Sequence, residues 1–215
     1  MKKSVQTILA IGMIFFYTFS FGQSKSTAPE VQKTYLDFFI SAVGTDLNYG
    51  ESNKALKDFK KSAQGIQIGL SLQTTIAPHF SLVPELSFIM RGGKLKANNP
   101  LTQDESTLRF YTMEIPVLAR LHLGKFHLNA GPSLGYNFYG TQKLDGSTTD
   151  LSFDNESGGF KRFDAGLQMG GGLTFKIKQK RAVLDIRYCY GLTNVSYEKE
   201  VYNRSLLIRL HVSKK

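Results

Sequence analysis

Residues 125–139 read KFHLNAGPSLGYNFY. Every second position from Phe126 (Leu128, Ala130, Pro132, Leu134, Tyr136, Phe138) is apolar or aromatic. The positions between them, His127, Asn129, Gly131, Ser133, Gly135 and Asn137, are polar or very small. Side chains on a strand point alternately to its two faces, so this spacing predicts one strand with a greasy face and a small, polar face. It exceeds the usual length of a globular strand. It is also long enough for a tilted crossing of a bilayer, which takes about 9–11 residues.

The same alternation recurs on both sides of this stretch. It marks strands at 35–43, 66–76, 80–91, 109–123, 163–177, 182–193 and 205–212. The links at 77–79, 124–125 and 178–180 are short, and Gly124-Lys125 suits a two-residue hairpin turn. The links at 44–64, 92–107, 140–159 and 194–203 are long and polar, and part of 44–64 is expected to form a short surface helix. An even strand count with alternating long and short links is the pattern of outer-membrane barrels. The expected fold is therefore all-β: an eight-stranded antiparallel up-and-down transmembrane β-barrel with short periplasmic turns and long extracellular loops. Both ends of the barrel chain then lie on the periplasmic side.

The first residues fit this location. Lys2 and Lys3 precede an apolar run, and Ser20 and Gly22 are small residues suited to cleavage before Gln23. Residues 1–22 read as a secretory signal peptide, 23–33 as a flexible leader, and 34–215 as the barrel domain. No long continuous apolar run follows the signal, so any crossing must use strands. The formal net charge is +10, without aromatic-interleaved basic patches or a nucleic-acid motif. That favours anionic lipid headgroups, lipopolysaccharide among them, over nucleic acid as the partner. Cys189 is the single cysteine, so no internal disulfide can form.

Alternation alone does not say which face is inside. A soluble periplasmic barrel binding an apolar ligand would show the same period with its faces exchanged. Three features favour grease on the outside. The polar face is rich in glycine (Gly69, Gly131, Gly135, Gly166, Gly170, Gly191), which suits a narrow interior. The charges on that face are of both signs: Asp37, Glu85, Glu114, Asp164 and Asp185 against Arg91, Arg120, Arg187 and Arg209. A closed interior requires such charges to pair. The apolar face carries no charge in any strand, and its aromatics gather toward strand ends, as in membrane-interface belts. The expected lumen network is Asp37, Glu85, Glu114, Arg120, Asp164, Asp185, Arg187 and Arg209. Pro84, Pro116 and Pro132 lie within strands and each removes a ladder donor, so bulges or register breaks are expected there.

The segment YTMEIPVLARLHLGKFHLNAGPSLGYNFYG at 111–140 resembles the PorT-like outer membrane β-barrel family of the Bacteroidota, whose members carry an EIP strand followed by a GPSLGY strand. The likeness continues through FDAGLQMGGGLTFKI at 163–177 and VLDIRYCYGLTNV at 183–195. It implies a small integral outer-membrane barrel, and one branch of that family is associated with type IX secretion and gliding.

Candidate chemistry is sparse. His122 and His127 flank the Gly124-Lys125 turn and both face the lumen, with His211 on the last strand. They suggest a metal site, but zinc wants more ligands, and polar filling of the rim is the expectation. A lipid-modifying enzyme would need serine, histidine and acid converging. Ser133 and His127 are about 20 Å apart along one strand, and Ser81 and Ser87 show no histidine neighbour in the pattern. Gly170-Gly171-Gly172 sits within a strand and is no phosphate loop. An eight-stranded interior is just wide enough for side chains, so no diffusive pore is expected. The reading is a monomeric, non-enzymatic barrel without metal or cofactor, structural or interacting with secretion or envelope proteins. Lys54, Lys57, Lys60 and Lys61 are candidate lipopolysaccharide contacts.

Overall fold

The computed structural model describes residues 34–156, 158–177 and 180–214. The expected signal peptide and leader, and residues 178 and 179 of one short turn, lie outside the described residues.

Eight long strands follow one another: β1 (Thr34–Tyr49), β2 (Ala63–Ala77), β3 (Phe80–Leu95), β4 (Ser106–Leu123), β5 (Phe126–Leu144), β6 (Phe163–Ile177), β7 (Lys180–Gly191) and β8 (Val201–Lys214). Each pairs antiparallel with its sequence neighbours, and β1 pairs with β8 through Ile40 and Leu210 to close the cylinder. Every strand thus has two partners, which removes the exposed edges a membrane cannot tolerate. Gly124 turns the β4–β5 hairpin at φ 70°, a left-handed conformation that favours glycine. Two short strands, Lys60–Lys61 and Ser147–Asp150, lengthen the wall beside β3 and β5.

The wall is greasy outside and charged inside. Leu134 is 67% and Phe126 62% exposed, whereas Asp185 and Arg187 are fully buried. The reversed alternative, an apolar interior under a wet exterior, is overturned by these orientations. From Phe126 to Tyr139 the outer face of β5 stays apolar, about 44 Å along the strand and about 34 Å along the axis at a tilt of about 40°. That spans a bilayer core with an aromatic interface at each end. Phe80, Phe126 and Phe175 mark the short-turn end; Tyr111, Tyr139, Phe163 and Tyr190 mark the other.

The inner glycines make room for large side chains. A Cβ on Gly69 would come within 2.7 Å of the Phe39 ring, and one on Gly135 within 2.8 Å of the Arg91 guanidinium.

The prolines correct the expectation made for them. Register is the same on both sides of each. The true shifts lie elsewhere, between Tyr111 and Thr112, where Phe138 is the extra residue, and between Thr75 and Ala77. Pro84, Pro116 and Pro132 each lose the ladder pair to the preceding strand but keep the pair to the following one, at Val117, Ser133 and Leu167 respectively. Because Pro84 lies opposite Val117, next to Pro116, the three gaps run together diagonally across β2 to β5. The wall absorbs its missing donors in one oblique seam.

The strands also run further than alternation with a greasy outer face suggested. Above the aromatic belt the polarity reverses. On β1, Leu47 and Tyr49 point inward and are buried, while Asp46 and Asn48 are on the outer side. Leu95, Phe110 and Val201 likewise turn inward, beside outward Lys94, Arg109 and Tyr202. Here the wall has left the hydrocarbon of the bilayer, so polar surroundings take the outer face and grease the inner one.

Candidate functional site

The lumen holds one continuous chain of ion pairs and hydrogen bonds. At the short-turn end, Arg181 of β7 donates to Asp37 of β1 at 2.7 Å and to Gln73 of β2 at 2.7 Å. Gln73 also accepts from Arg120 of β4 at 2.8 Å, and Arg120 donates to Asn129 of β5 at 2.7 Å. Asn129 donates to both oxygens of Asp185. At mid-barrel, Arg187 bridges Asp185 at 2.7 Å and Glu85 of β3 at 2.9 and 3.0 Å. Arg209 of β8 reaches Glu85 at 2.6 Å and Gln67 at 2.8 Å. Toward the loops, Gln168 of β6 donates to Glu114 at 3.0 Å, and Arg91 lies between Glu114 at 3.4 Å and Asp164 at 2.9 Å. Asn203 and Thr193 complete the contacts of Asp164 at 2.8 Å each.

This brings together all eight residues of the sequence-derived set, and Arg91 with them. Arg181 falls between the expected turn at 178–180 and the expected strand at 182–193; continuing the alternation back from Asp185 and Val183 puts it on the lumen face. Gln67, Gln73, Asn129 and Gln168 carry no charge, so nothing in the sequence distinguished them from polar filler. Among the described lumen side chains of the spanning region, five acids face five arginines. That balance is what a low-dielectric interior demands, since an uncompensated buried ion costs several kcal/mol. The space left between Arg91, Glu114, Ser133, Asp164 and Asn203 is a cavity of about 10 Å3, roughly the room of one water.

The outer end is closed by apolar side chains. Leu47, Tyr49, Leu56, Leu95, Phe110, Val195 and Val201 form a buried cluster, with Phe59, Leu108, Leu151, Phe153 and Phe160 packed against it. Leu56 comes from a 3-10 helix, Glu51–Phe59, in the first long loop. Phe110 meets Phe160 edge to face at 5.3 Å. The long loops are tied to one another by main-chain bonds: Lys96 to Phe59, Gly50 to Glu200, Lys161 to Val195, Tyr197 to Gly159. Glu200 also accepts from the Ser52 amide and hydroxyl, at 3.3 and 2.9 Å, which holds its carboxyl below the ordinary range.

The histidines do not assemble. His122 and His127 are directly paired across the β4–β5 hairpin, yet their side chains part. His122 Nε2 meets Ser81 Oγ at 2.8 Å, while His127 and His211 approach Asp185 from two sides at 3.7 and 3.8 Å. Among the described residues no group of three or more histidine, cysteine or acidic side chains is placed to hold a metal. The Ser81–His122 contact corrects the sequence expectation that Ser81 lacks a histidine neighbour. The β3–β4 register sets Ser81 opposite Arg120, so His122 is its diagonal neighbour. Ser81 is fully buried, and no carboxylate touches His122 among the described residues.

A family model described as an outer membrane protein beta-barrel domain matches residues 13–197. Among solved structures, Neisserial surface protein A (NspA) gives a TM-score of 0.52 at 14% identity, over 84% of this chain and 98% of that one. Ail, the attachment invasion locus protein of Yersinia pestis, gives 0.44 at 11% identity, over 84% and 99% respectively. The likeness to NspA is one of fold. No curated protein sequence matches.

Proposed function

We propose, for a chain that belongs to the outer membrane protein beta-barrel domain family, a non-enzymatic and non-conducting role exercised at its two ends. Membership sets the location as the outer membrane. The observation that carries the proposal is the filled interior. Ion pairs occupy the lumen through the bilayer, and a buried apolar cluster stands above them. A hydrated ion or small solute would have to break the pairs and open the cluster. At the one serine–histidine contact described, the Ser81 hydroxyl is fully buried, out of reach of a substrate. What remains for function is the interlocked loop surface outside, the turns inside, and the lipid-facing wall.

The EIP and GPSLGY segments carry the proposal one step further, to a PorT-like part in secretion or envelope assembly through protein partners, with outer-leaflet lipid contacting the wall. The barrel itself is read as monomeric. Planar-bilayer recording tests the sealed lumen. The purified, folded protein should add no steady conductance; discrete, lasting open steps would overturn the reading. Crosslinking in intact cells tests the partner. Capture of secretion-machinery proteins through the loops or turns supports the PorT-like role, and a crosslink pattern limited to lipid removes it.

A further inference from the structure

Above the aromatic belt, a shallow groove of about 440 Å3 crosses the outer wall at β3, β4 and β5. Lys94, Arg109 and Lys143 line it together with Glu105, Thr107 and Thr141. Register explains why they meet. Lys94 pairs with Thr107, which pairs with Lys143, and in the next row Arg109 pairs with Thr141. One row lower, Tyr111 and Tyr139 stand side by side, ring centroids 5.4 Å apart. Each row is two residues, about 7 Å along the strand. The cations therefore sit at headgroup height over an interfacial aromatic pair.

The charge in this groove is in excess. Glu105 is its one acidic lining residue, shared by Lys94 at 3.3 Å and Lys61 at 3.1 Å. Arg109 bonds only the Gln64 carbonyl and the Met90 sulfur among the described residues, and Lys143 has no carboxylate partner there. The other side of the barrel differs. Arg204 stacks on the Tyr190 ring at 3.2 Å and lies directly across from Asp46, which Lys60 also approaches at 3.8 Å. Charge is offset there; on β3–β5 Lys94 is paired with Glu105, while Arg109 and Lys143 have no carboxylate partner among the described residues.

A second groove lies lower on the same wall. It measures about 400 Å3 and is lined chiefly by apolar side chains: Met113, Ile115, Leu134, Tyr136, Phe163 and Ala165 of β4 to β6. A cationic groove at headgroup height above an apolar groove within the bilayer matches a molecule that is anionic at one end and acylated at the other.

We propose that this wall binds a phosphorylated glycolipid of the outer leaflet. Its phosphate sits among Lys94, Arg109 and Lys143, and an acyl chain lies in the apolar groove. The proposal rests on the lipid-contact part of the reading above and gives that contact its chemistry. It moves the site from the 54–61 lysines, where Lys57 is paired with Glu51 and Lys60 with Asp46, to the β3–β5 face.

The test uses the folded full-length barrel in micelles, titrated with bisphosphorylated lipid A, the same lipid dephosphorylated, and inorganic pyrophosphate. Native mass spectrometry reads occupancy. The unaltered protein should take the phosphorylated lipid about tenfold or more tightly than the dephosphorylated one. The K94Q/R109Q/K143Q variant should lose that preference, and K54Q/K57Q should keep it. Heat-modifiable gel mobility checks folding. Should the triple variant not fold, K143Q alone, at an exposed side chain, should show a partial loss. Equal binding of the two lipids, or an unchanged preference in the groove variants, overturns the proposal. Pyrophosphate binding as tightly as the lipid overturns its assignment to a lipid. Each of these results leaves the conductance test untouched, so the groove can fail while the sealed barrel stands.

Discussion

Replacing Glu85 by glutamine should be among the most damaging near-isosteric changes in this barrel. Glu85 accepts three bonds from two fully buried arginines, at 2.9 and 3.0 Å from Arg187 and 2.6 Å from Arg209. Arg187 keeps a carboxylate after the change, because Asp185 remains at 2.7 Å. Arg209 does not: its other partners are Ser41 at 3.1 Å and Gln67 at 2.8 Å, both neutral. Removing one partner of a buried pair costs about 3–5 kcal/mol, because the other charge stays buried without compensation. One carbonyl oxygen survives in glutamine, so the lower end, about 3 kcal/mol, is expected. The E85Q/R209Q double variant removes the stranded charge as well. Its loss should be smaller than the sum of the two single losses, by about 2 kcal/mol. Urea unfolding of the barrel refolded in phospholipid vesicles, followed by gel mobility, measures all three variants. A loss under about 1 kcal/mol for E85Q, or strict additivity in the double variant, would refute the claim that these ions depend on each other.

Other outcomes follow from the same structure. Leu134→Arg places a cation near the middle of the lipid-facing belt and should cost about 2–4 kcal/mol in vesicles; tolerance there would mean that this face does not meet hydrocarbon. Phe110→Ala empties the centre of the outer apolar cluster and should cost about 3 kcal/mol in the same unfolding assay. Glu200 gives a pH dependence. Its pKa is lowered by the Ser52 bonds, so its contribution is full above the unfolded value of about 4.3 and is lost as pH falls through the folded value. Amide protection in the 50–62 loop, taken relative to intrinsic exchange at each pH, should therefore fall with acid below that range, and E200Q should abolish this pH dependence; a loop indifferent to both would remove Glu200 as its tie.

The sequence by itself determined the strand number, the order of long and short links, and the choice of outer face. Each follows from period-two alternation together with charge confined to one side of it, as at Leu184, Asp185, Ile186 and Arg187. Burial of the charged lumen residues was legible for the same reason: parity fixes the face of a side chain once the strand is recognised. Parity fails where the environment changes along a strand. At Leu47 and Phe110 the apolar side chains turn inward because polar surroundings have replaced hydrocarbon outside, and a reading that looks for grease outward ends the strand too early. Pairing is the other thing local pattern does not hold. Which strands meet at what offset is set by closure of the whole cylinder, and that offset puts His122 beside Ser81. It also runs the three proline gaps into one seam, and gathers Lys94, Arg109 and Lys143, distant in sequence, into a single groove.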